Sequence, residues 1–383
     1  MITTEAWVLH QGPPLPVPGE LRKESFTFPD LTPEELLVEP IYGCWEGNMT
    51  HALQRDPIDI CRFRKEEKVV IGNSGVVRVL KTGSAVTRFQ EGDLCLLCSV
   101  ATWDEVGYPL KILAYDAPGT MGVLAKRMKL HQDQLWPIFR DTKFSLPQWA
   151  AFPIRYGTAW DNWKVAFGAW RLQMNDDDCP VPHVWGWGGG VTLAQLALAK
   201  QFGCRTAMIS SRDTRLELIK SMGITPIDRR EFLDLQFDEV RFKTDFDYRR
   251  SYMRAEIKFL EMVKRHTNGQ GVSIFVDNVG GPVYRATLKA LGRQGVITTV
   301  GWKRGMDVSL SRGTECIERH IHVHTHGIRK SDAALHFAEE TGWMPPISES
   351  DTVYGWDDIP ALAEAYRDDT LDTYFPVFQV NPL

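Results

Sequence analysis

The run Val184-Trp185-Gly186-Trp187-Gly188-Gly189-Gly190 follows a short apolar segment and opens the amphipathic stretch VTLAQLALAKQFG. A pyrophosphate is held by backbone N–H groups at a helix N-terminus, and glycines let the backbone approach it closely. Gly186, Gly188 and Gly189 supply such a turn. The sixth position of a G-x-G-x-x-G pattern is Val191, so the small packing residue is displaced onto Gly190. A purely structural glycine turn is the alternative. About twenty residues further on, where a site preferring NAD places an acidic side chain against the ribose 2′-hydroxyl, the next strand-like run ends in Ser210-Ser211-Arg212. Two hydroxyls and a guanidinium, with Arg215 one turn later, suit the 2′-phosphate of NADPH. The competing reading is a solvated turn with Ser211 or Asp213 capping the next helix.

Other residues that could do chemistry are less pointed. Cys95 and Cys98 form a lone CxxC with no second pair at ribbon spacing, so small buried strand residues are expected and no metal is assigned. His320, His322, His324 and His326 alternate, which in a strand puts all four on one face. Ile321 and Val323 lie between them and no carboxylate cluster follows, so a half-exposed sheet face is favoured over a chelate. The tryptophans, among them Trp160, Trp163, Trp185, Trp187 and Trp302, are expected in the core.

These residues need elements to position them. At 383 residues the chain exceeds the ~250–300 at which one hydrophobic core stops growing, so two domains are expected. A 43% hydrophobic and 24% charged composition is that of a globular protein, and a net charge of −5 offers no footprint for nucleic acid. The longest uncharged stretch, 179–199, carries two prolines, a histidine and four glycines, which reads as strand, turn and helix rather than a membrane span. The N-terminus lacks a basic and then apolar leader, and seven scattered cysteines argue for reduced thiols, so the cytoplasm is the expected location.

From Glu35 to about Val100, short β-rich runs broken by Gly and Pro read as an antiparallel, barrel-like unit. From Arg155 to Gly301, strands alternate with helices closed by Gly203, Gly223 and Gly292, the signature of a doubly wound parallel sheet. The balanced, highly charged interval 228–265 is expected to be a helical insertion on the surface of that domain.

The set GVVRVLKTGSAVTRFQEGD at 75–93, YGTAW at 156–160, the glycine turn, and VDNVGGPVYRATLKALGRQGVITTVG at 276–301 resembles the medium-chain dehydrogenase/reductase superfamily over nearly the whole chain. The resemblance implies a GroES-like catalytic domain from residues 1–155 with a returning segment 328–383, an NADP-binding Rossmann domain at 156–327, and an active site in the cleft. It implies that Thr158 lies near the nicotinamide and that Asn278, Val279, Val300 and Gly301 line the cofactor. Within the superfamily the chain is most similar to the crotonyl-CoA carboxylase/reductase branch, through TWDEVGYPLKILAYDAP at 102–118 and IDRREF at 227–232.

The zinc alcohol dehydrogenases of the superfamily carry a Cys, a Gly-His-Glu motif and four closely spaced cysteines. Here Ile71 and Gly72 stand at the His and Glu positions, leaving Cys44 alone. Hydride addition to a polarised C=C needs an oxyanion pocket and a proton source but no Lewis acid. By this resemblance Asn48, Tyr115, Asp116 and, depending on the gap, His320 or Glu318 fall where the carboxylating branch has its polar pocket, with Tyr for Phe and Asp for Glu. Tyr42 and Tyr156 are alternative proton donors, and turn or packing roles are the competing reading for each of these residues. The expected function is NADPH-dependent reduction of an enoyl thioester, with the carboxylation of its enolate open, by a homodimer or homotetramer acting on a small-molecule or carrier-bound acyl substrate. A quinone or alkenal reductase and a catalytically silent nucleotide-binding scaffold are the alternatives.

Overall fold

Alternation along the first strands sets the architecture of the N-terminal part. In β1 (Ile2–His10) Thr4, Ala6 and Val8 point inward while Thr3, Glu5 and Trp7 are exposed or half-exposed, and β2 (Leu21–Phe28) pairs with it antiparallel. A larger antiparallel sheet is centred on β3 (Glu35–Cys44). After the short β4 (Lys68–Val69), its members are β5 (Gly75–Thr82), β6 (Leu94–Leu97), β9 (Met128–His131) and β10 (Leu135–Pro137), with a hairpin of β7 (Val100–Trp103) and β8 (Pro109–Ile112) beside them. Helices α1 (Gly47–Gln54), α2 (Ile60–Arg64) and the long α3 (Leu146–Arg171) follow in chain order. The computed structural model describes residues 1–14, 17–301, 312–325 and 329–383. They divide into two units, 1–157 with 329–383, and 158–328, and the division falls inside α3.

The second unit holds β11 (His183–Trp187), β12 (Arg205–Ser210), β13 (Thr225–Asp228), β14 (Val272–Asp277), β15 (Leu291–Thr299) and β16 (His322–Thr325). They form one wholly parallel sheet in the order β13-β12-β11-β14-β15-β16. The crossovers are made by α4 (Gly190–Gln201), α5 (Asp213–Ser221), α6 (Glu239–Thr244), α7 (Phe246–His266) and α8 (Gly281–Ala290). Strand order reverses between β11 and β14, and such a reversal is where doubly wound sheets receive ligands. Every residue of β11 and β14 is buried, as strands covered on both faces must be. The fold is therefore α/β, a curled GroES-like antiparallel sheet and a Rossmann sheet.

The segment returning to the first unit contributes α9 (Ala333–Thr341), α10 (Ile359–Arg367) and β17 (Val377–Gln379), which pairs antiparallel with β3.

Three local expectations change. The charged interval after β13 is helical, yet α7 is the crossover into β14 and not an appendage. Tyr252, Ala255, Phe259, Met262 and Val263 form a buried stripe, with Phe259 stacked on Trp187 at 5.2 Å. The buried Glu256 on that stripe is matched by Lys289 at 2.5 Å, Arg285 at 3.3 Å and the Tyr252 hydroxyl at 3.0 Å. Gly292 does not close a helix: α8 stops at Ala290 and the chain enters β15 directly, with Gly292 pressed where a Cβ would lie 2.3 Å from the Gln270 carbonyl oxygen. The histidine alternation is also interrupted, because β16 begins at His322 and His320 precedes it with φ +56°. The His324 side chain, His326 and Trp302 lie outside the described residues.

Trp163, Trp185 and Trp187 are buried as expected, and Trp160 is half-buried. All seven cysteines are free thiols, Cys95 and Cys98 included; six are buried and Cys316 is exposed. Among the described residues no helix is long and apolar enough to cross a membrane.

Candidate functional site

In the second unit the site is built at the carboxyl ends of β11 and β14. The chain leaves β11 through Gly188, whose φ of +146° is costly for any side chain, and enters α4 with Gly189 as N-cap and Gly190 as first residue. A Cβ on Gly188 would lie 2.4 Å from Thr192 Oγ1 and 2.9 Å from Asn278 Cβ, so the protein itself fills that side of the turn. A Cβ on Gly189 would meet nothing within 4 Å. No side chain caps the start of α4, so its first N–H groups and the positive end of its dipole face the open side of Gly189. Gly186 lies inside β11, where the missing side chain admits Thr192 and the carbonyl of Val276.

The opposite wall is held by a network that sequence reasoning did not anticipate. Asn278 Nδ2 donates to Thr192 Oγ1 at 2.9 Å, while its Oδ1 accepts from the Val300 N–H at 2.9 Å. One amide thus ties the β14, β15 and β11–α4 ends together, which makes Asn278 a positioning residue. Val279 and Gly280 donate their N–H groups to Asp277 Oδ1 at 3.0 and 2.9 Å, and the Thr287 hydroxyl donates to Oδ2 at 2.8 Å. Trp187 Nε1 in turn donates to Thr287 Oγ1 at 3.0 Å. Burial raises the Asp277 carboxyl above its ordinary pKa, and those hydrogen bonds pull the other way. The Asp-Asn-Val-Gly-Gly order after an apolar strand was the available signal. Gly301 sits against Asn278, with room for a Cβ no nearer than 3.4 Å to its carbonyl oxygen.

At the end of β12, Ser210 is buried, Ser211 is exposed, and Arg212 is the N-cap of α5 with extended backbone and no capping side chain; Arg215 follows in its first turn. A cavity of about 300 Å³ in this unit, lined by His183, Trp185, Arg205 and His266 among others, opens at the amino ends of the strands and is separate from this turn.

In the first unit the polar residues converge on the corner from β3 into α1. Arg155, on α3 and 3% exposed, donates through Nη1 to Glu46 Oε1 at 2.6 Å and to Cys44 Sγ at 2.7 Å, and through Nη2 to the Trp45 carbonyl at 2.8 Å. Burial pushes the Cys44 thiol up to about 12 and the Glu46 carboxyl up to about 7, in each case against the attraction of Arg155. Two residues beyond Glu46, Asn48 Nδ2 donates to Asn73 Oδ1 at 3.1 Å. Asn48 Oδ1 and Asn73 Nδ2 are both buried with no partner, leaving one unused acceptor and one unused donor on the bonded pair. Thr158, the first residue of the second unit, is buried on α3.

The remaining first-unit candidates do not join this corner. The Asp116 carboxylate closes its own turn, accepting from the Ile112 N–H at 2.5 Å, with Lys111 at 4.0 Å. Tyr115 packs against the core of the first unit, and burial pushes its hydroxyl up to about 12. Tyr156 donates to the Met344 carbonyl at 2.8 Å inside an aromatic cluster. His320 is exposed and belongs to the second unit.

Residues 190–334 match the family of zinc-binding dehydrogenases. The chain is 25% identical over 228 residues to a quinone oxidoreductase-like protein 2 homolog of Nematostella vectensis, covering 59% of this chain and 48% of that one, so it spans about half that relative's length. Among solved structures it resembles crotonyl-CoA carboxylase/reductase AntE in complex with NADP at a TM-score of 0.79 and 17% identity, over 98% of this chain and 94% of that one. It also resembles the 2-octenoyl-CoA carboxylase reductase CinF in complex with NADP and 2-octenoyl-CoA, at 0.78 and 17%, over 100% and 88%. The likeness to these solved structures is one of fold, a GroES-like sheet with a Rossmann sheet, and the match to the dehydrogenase family covers residues 190–334. The zinc in the matched family's description does not suit the residues present: Cys44 is engaged by a guanidinium, and Ile71 and Gly72 offer no ligand. Among the described residues no group of three or more His, Cys, Asp or Glu side chains is gathered as a metal site.

Proposed function

We propose that the chain is an NADPH-dependent oxidoreductase that reduces the C=C bond of an α,β-unsaturated thioester. The observation carrying the cofactor reading is the open side of Gly189, an uncapped helix start of the kind that receives a pyrophosphate, at the reversal point of a Rossmann sheet. Gly188, Gly189 and Gly190 would face the pyrophosphate, Ser210, Ser211, Arg212 and Arg215 the 2′-phosphate, and Thr158, Val279, Val300 and Gly301 the nicotinamide half. The bound cofactor supplies a hydride.

The thioester reading is supported by the first unit and by the solved structures named above. Cys44 is taken by Arg155, so the corner supplies hydrogen-bonding amides where a zinc enzyme would present its metal. Hydride arriving at the β-carbon leaves an enolate, whose oxyanion must meet fixed donors and whose α-carbon must take a proton or carbon dioxide. The Asn48–Asn73 pair, with one unused acceptor and one unused donor, is suited to hold water, carbon dioxide or the thioester at that step. Reduction of a free quinone or alkenal is the second reading, favoured by the likeness to the quinone oxidoreductase-like homolog.

The deciding measurement is NADPH consumption against a panel of enoyl thioesters and free enones, with and without bicarbonate, with mass spectrometry of the acyl products. Turnover confined to thioesters is expected. Turnover confined to quinones or enones would replace the reading, and no turnover with intact NADPH binding would favour a silent scaffold. Arg212→Ala should weaken NADPH by roughly 10- to 100-fold, the worth of one or two charge-assisted bonds, and leave NADH unchanged in a fluorescence titration.

A further inference from the structure

We infer that Arg230 sets the preference for NADPH by masking the carboxylate of Asp213, the first residue of α5, at the mouth of the 2′-phosphate site. The inference rests on the proposal above that the end of β12 receives that phosphate. Strands β12 and β13 run parallel with Ser210 opposite Asp228, so the two strand ends lie side by side. The chain leaves β13 through a short 3₁₀ turn, Arg229–Phe232, whose start is capped by Asp228 accepting from the Arg230 N–H. That turn aims the Arg230 side chain back across the strand ends.

Its guanidinium is doubly held. Nε donates to Asp228 Oδ1 and Oδ2 at 2.9 and 3.0 Å, and Nη2 donates to Asp228 Oδ2 at 2.7 Å. The same Nη2 reaches Asp213 Oδ1 at 2.5 Å. Asp228 thus fixes the orientation of the fork, and Asp213 shares its Nη2 end. Asp213 is three residues past the buried Ser210 and adjoins Arg212. An unmasked carboxylate here would act twice against NADPH: it would repel the phosphate dianion, and it would offer an acceptor to the 2′-hydroxyl of NADH. The sequence criterion that no acid ends β12 therefore holds only because the acid one residue past Arg212 is neutralised from the neighbouring strand.

The test is a double-mutant cycle on the full chain, with dissociation constants for NADPH and NADH measured by fluorescence titration. Arg230→Ala should weaken NADPH by about tenfold, a change worth ~1.4 kcal/mol, while NADH binds as well as before or better. Asp213→Asn alone should stay within about twofold of wild type for NADPH, because the carboxylate is already masked. Arg230→Ala with Asp213→Asn should recover most of the lost NADPH affinity. If the double variant binds NADPH no better than Arg230→Ala, the arginine touches the phosphate itself and masking is wrong. An unchanged NADPH-to-NADH ratio in Arg230→Ala also overturns it. Equal affinities for both cofactors in the wild type would instead remove the 2′-phosphate reading, and this inference with it; melting temperatures of the variants separate all of these outcomes from unfolding.

Discussion

Arg155 is the residue on which the first unit's polar corner depends. A guanidinium and a carboxylate withdrawn from water are costly, and removing one partner leaves the other buried and uncompensated. Arg155→Met should therefore lower stability by about 3–5 kcal/mol in urea unfolding, whereas alanine at an exposed arginine such as Arg250 should change it by less than about 0.5 kcal/mol. Glu46 adds a pH dependence whose sign is fixed by its elevated pKa. The folded state holds that proton up to about 7 while an unfolded glutamate releases it near 4.5. The contribution of Glu46 is thus full below pH 4.5 and is lost as pH rises through 7. Relative to Glu46→Gln, the wild-type urea midpoint should fall between pH 4.5 and 7.5, and parallel profiles for the two proteins would refute this. Little of this corner was legible beforehand. Cys44 stood out as a lone thiol, but the cation that engages it is 111 residues away, inside the apolar run AAFPIRYG. An arginine in such a run was the available clue, since a buried charge demands a partner.

At the scale of elements, the turn from β11 into α4 separates two uses of glycine that look alike in sequence. Gly188→Ala forces a side chain onto a positive φ and into Thr192 and Asn278, and should cost more than about 1 kcal/mol of stability. Gly189→Ala meets open space, so its thermal midpoint should fall by less than that of Gly188→Ala while NADPH affinity drops by more than about tenfold, the methyl standing in the cradle. Calorimetry together with cofactor titration distinguishes them, and a Gly189→Ala that is the more destabilised of the two and still binds NADPH would reverse the assignment. The turn and the strand–helix alternation were readable because each is encoded within some dozen neighbouring residues. The role of α7 was not: its five apolar stripe residues are diluted by charges at most of the remaining positions, and balanced charge reads as surface. His320 misled for another reason, since a single residue in the left-handed region ends an alternation that only an uninterrupted strand would keep.

Over the whole molecule, both fold types followed from local texture, whereas the residues of the first-unit corner come from β3, α1, α3 and the segment before β5, an assembly that only the folded chain reveals. The distribution of thiols has a consequence of its own. Burial pushes Cys61, Cys95 and Cys204 up to about 12 and Cys98 to about 11, so their reactive thiolates are scarce as well as inaccessible, while Cys316 alone is exposed. A disulfide reagent such as dithionitrobenzoate should therefore release one equivalent of chromophore from the native protein and seven in denaturant. The six late equivalents are a clock for unfolding, with a built-in address: Cys44, Cys61, Cys95 and Cys98 belong to the first unit, and Cys179 and Cys204 to the second. Pulsed alkylation followed by peptide mass spectrometry then reads which unit opens first, and saturating NADPH should slow the labelling of Cys179 and Cys204 more than that of the other four.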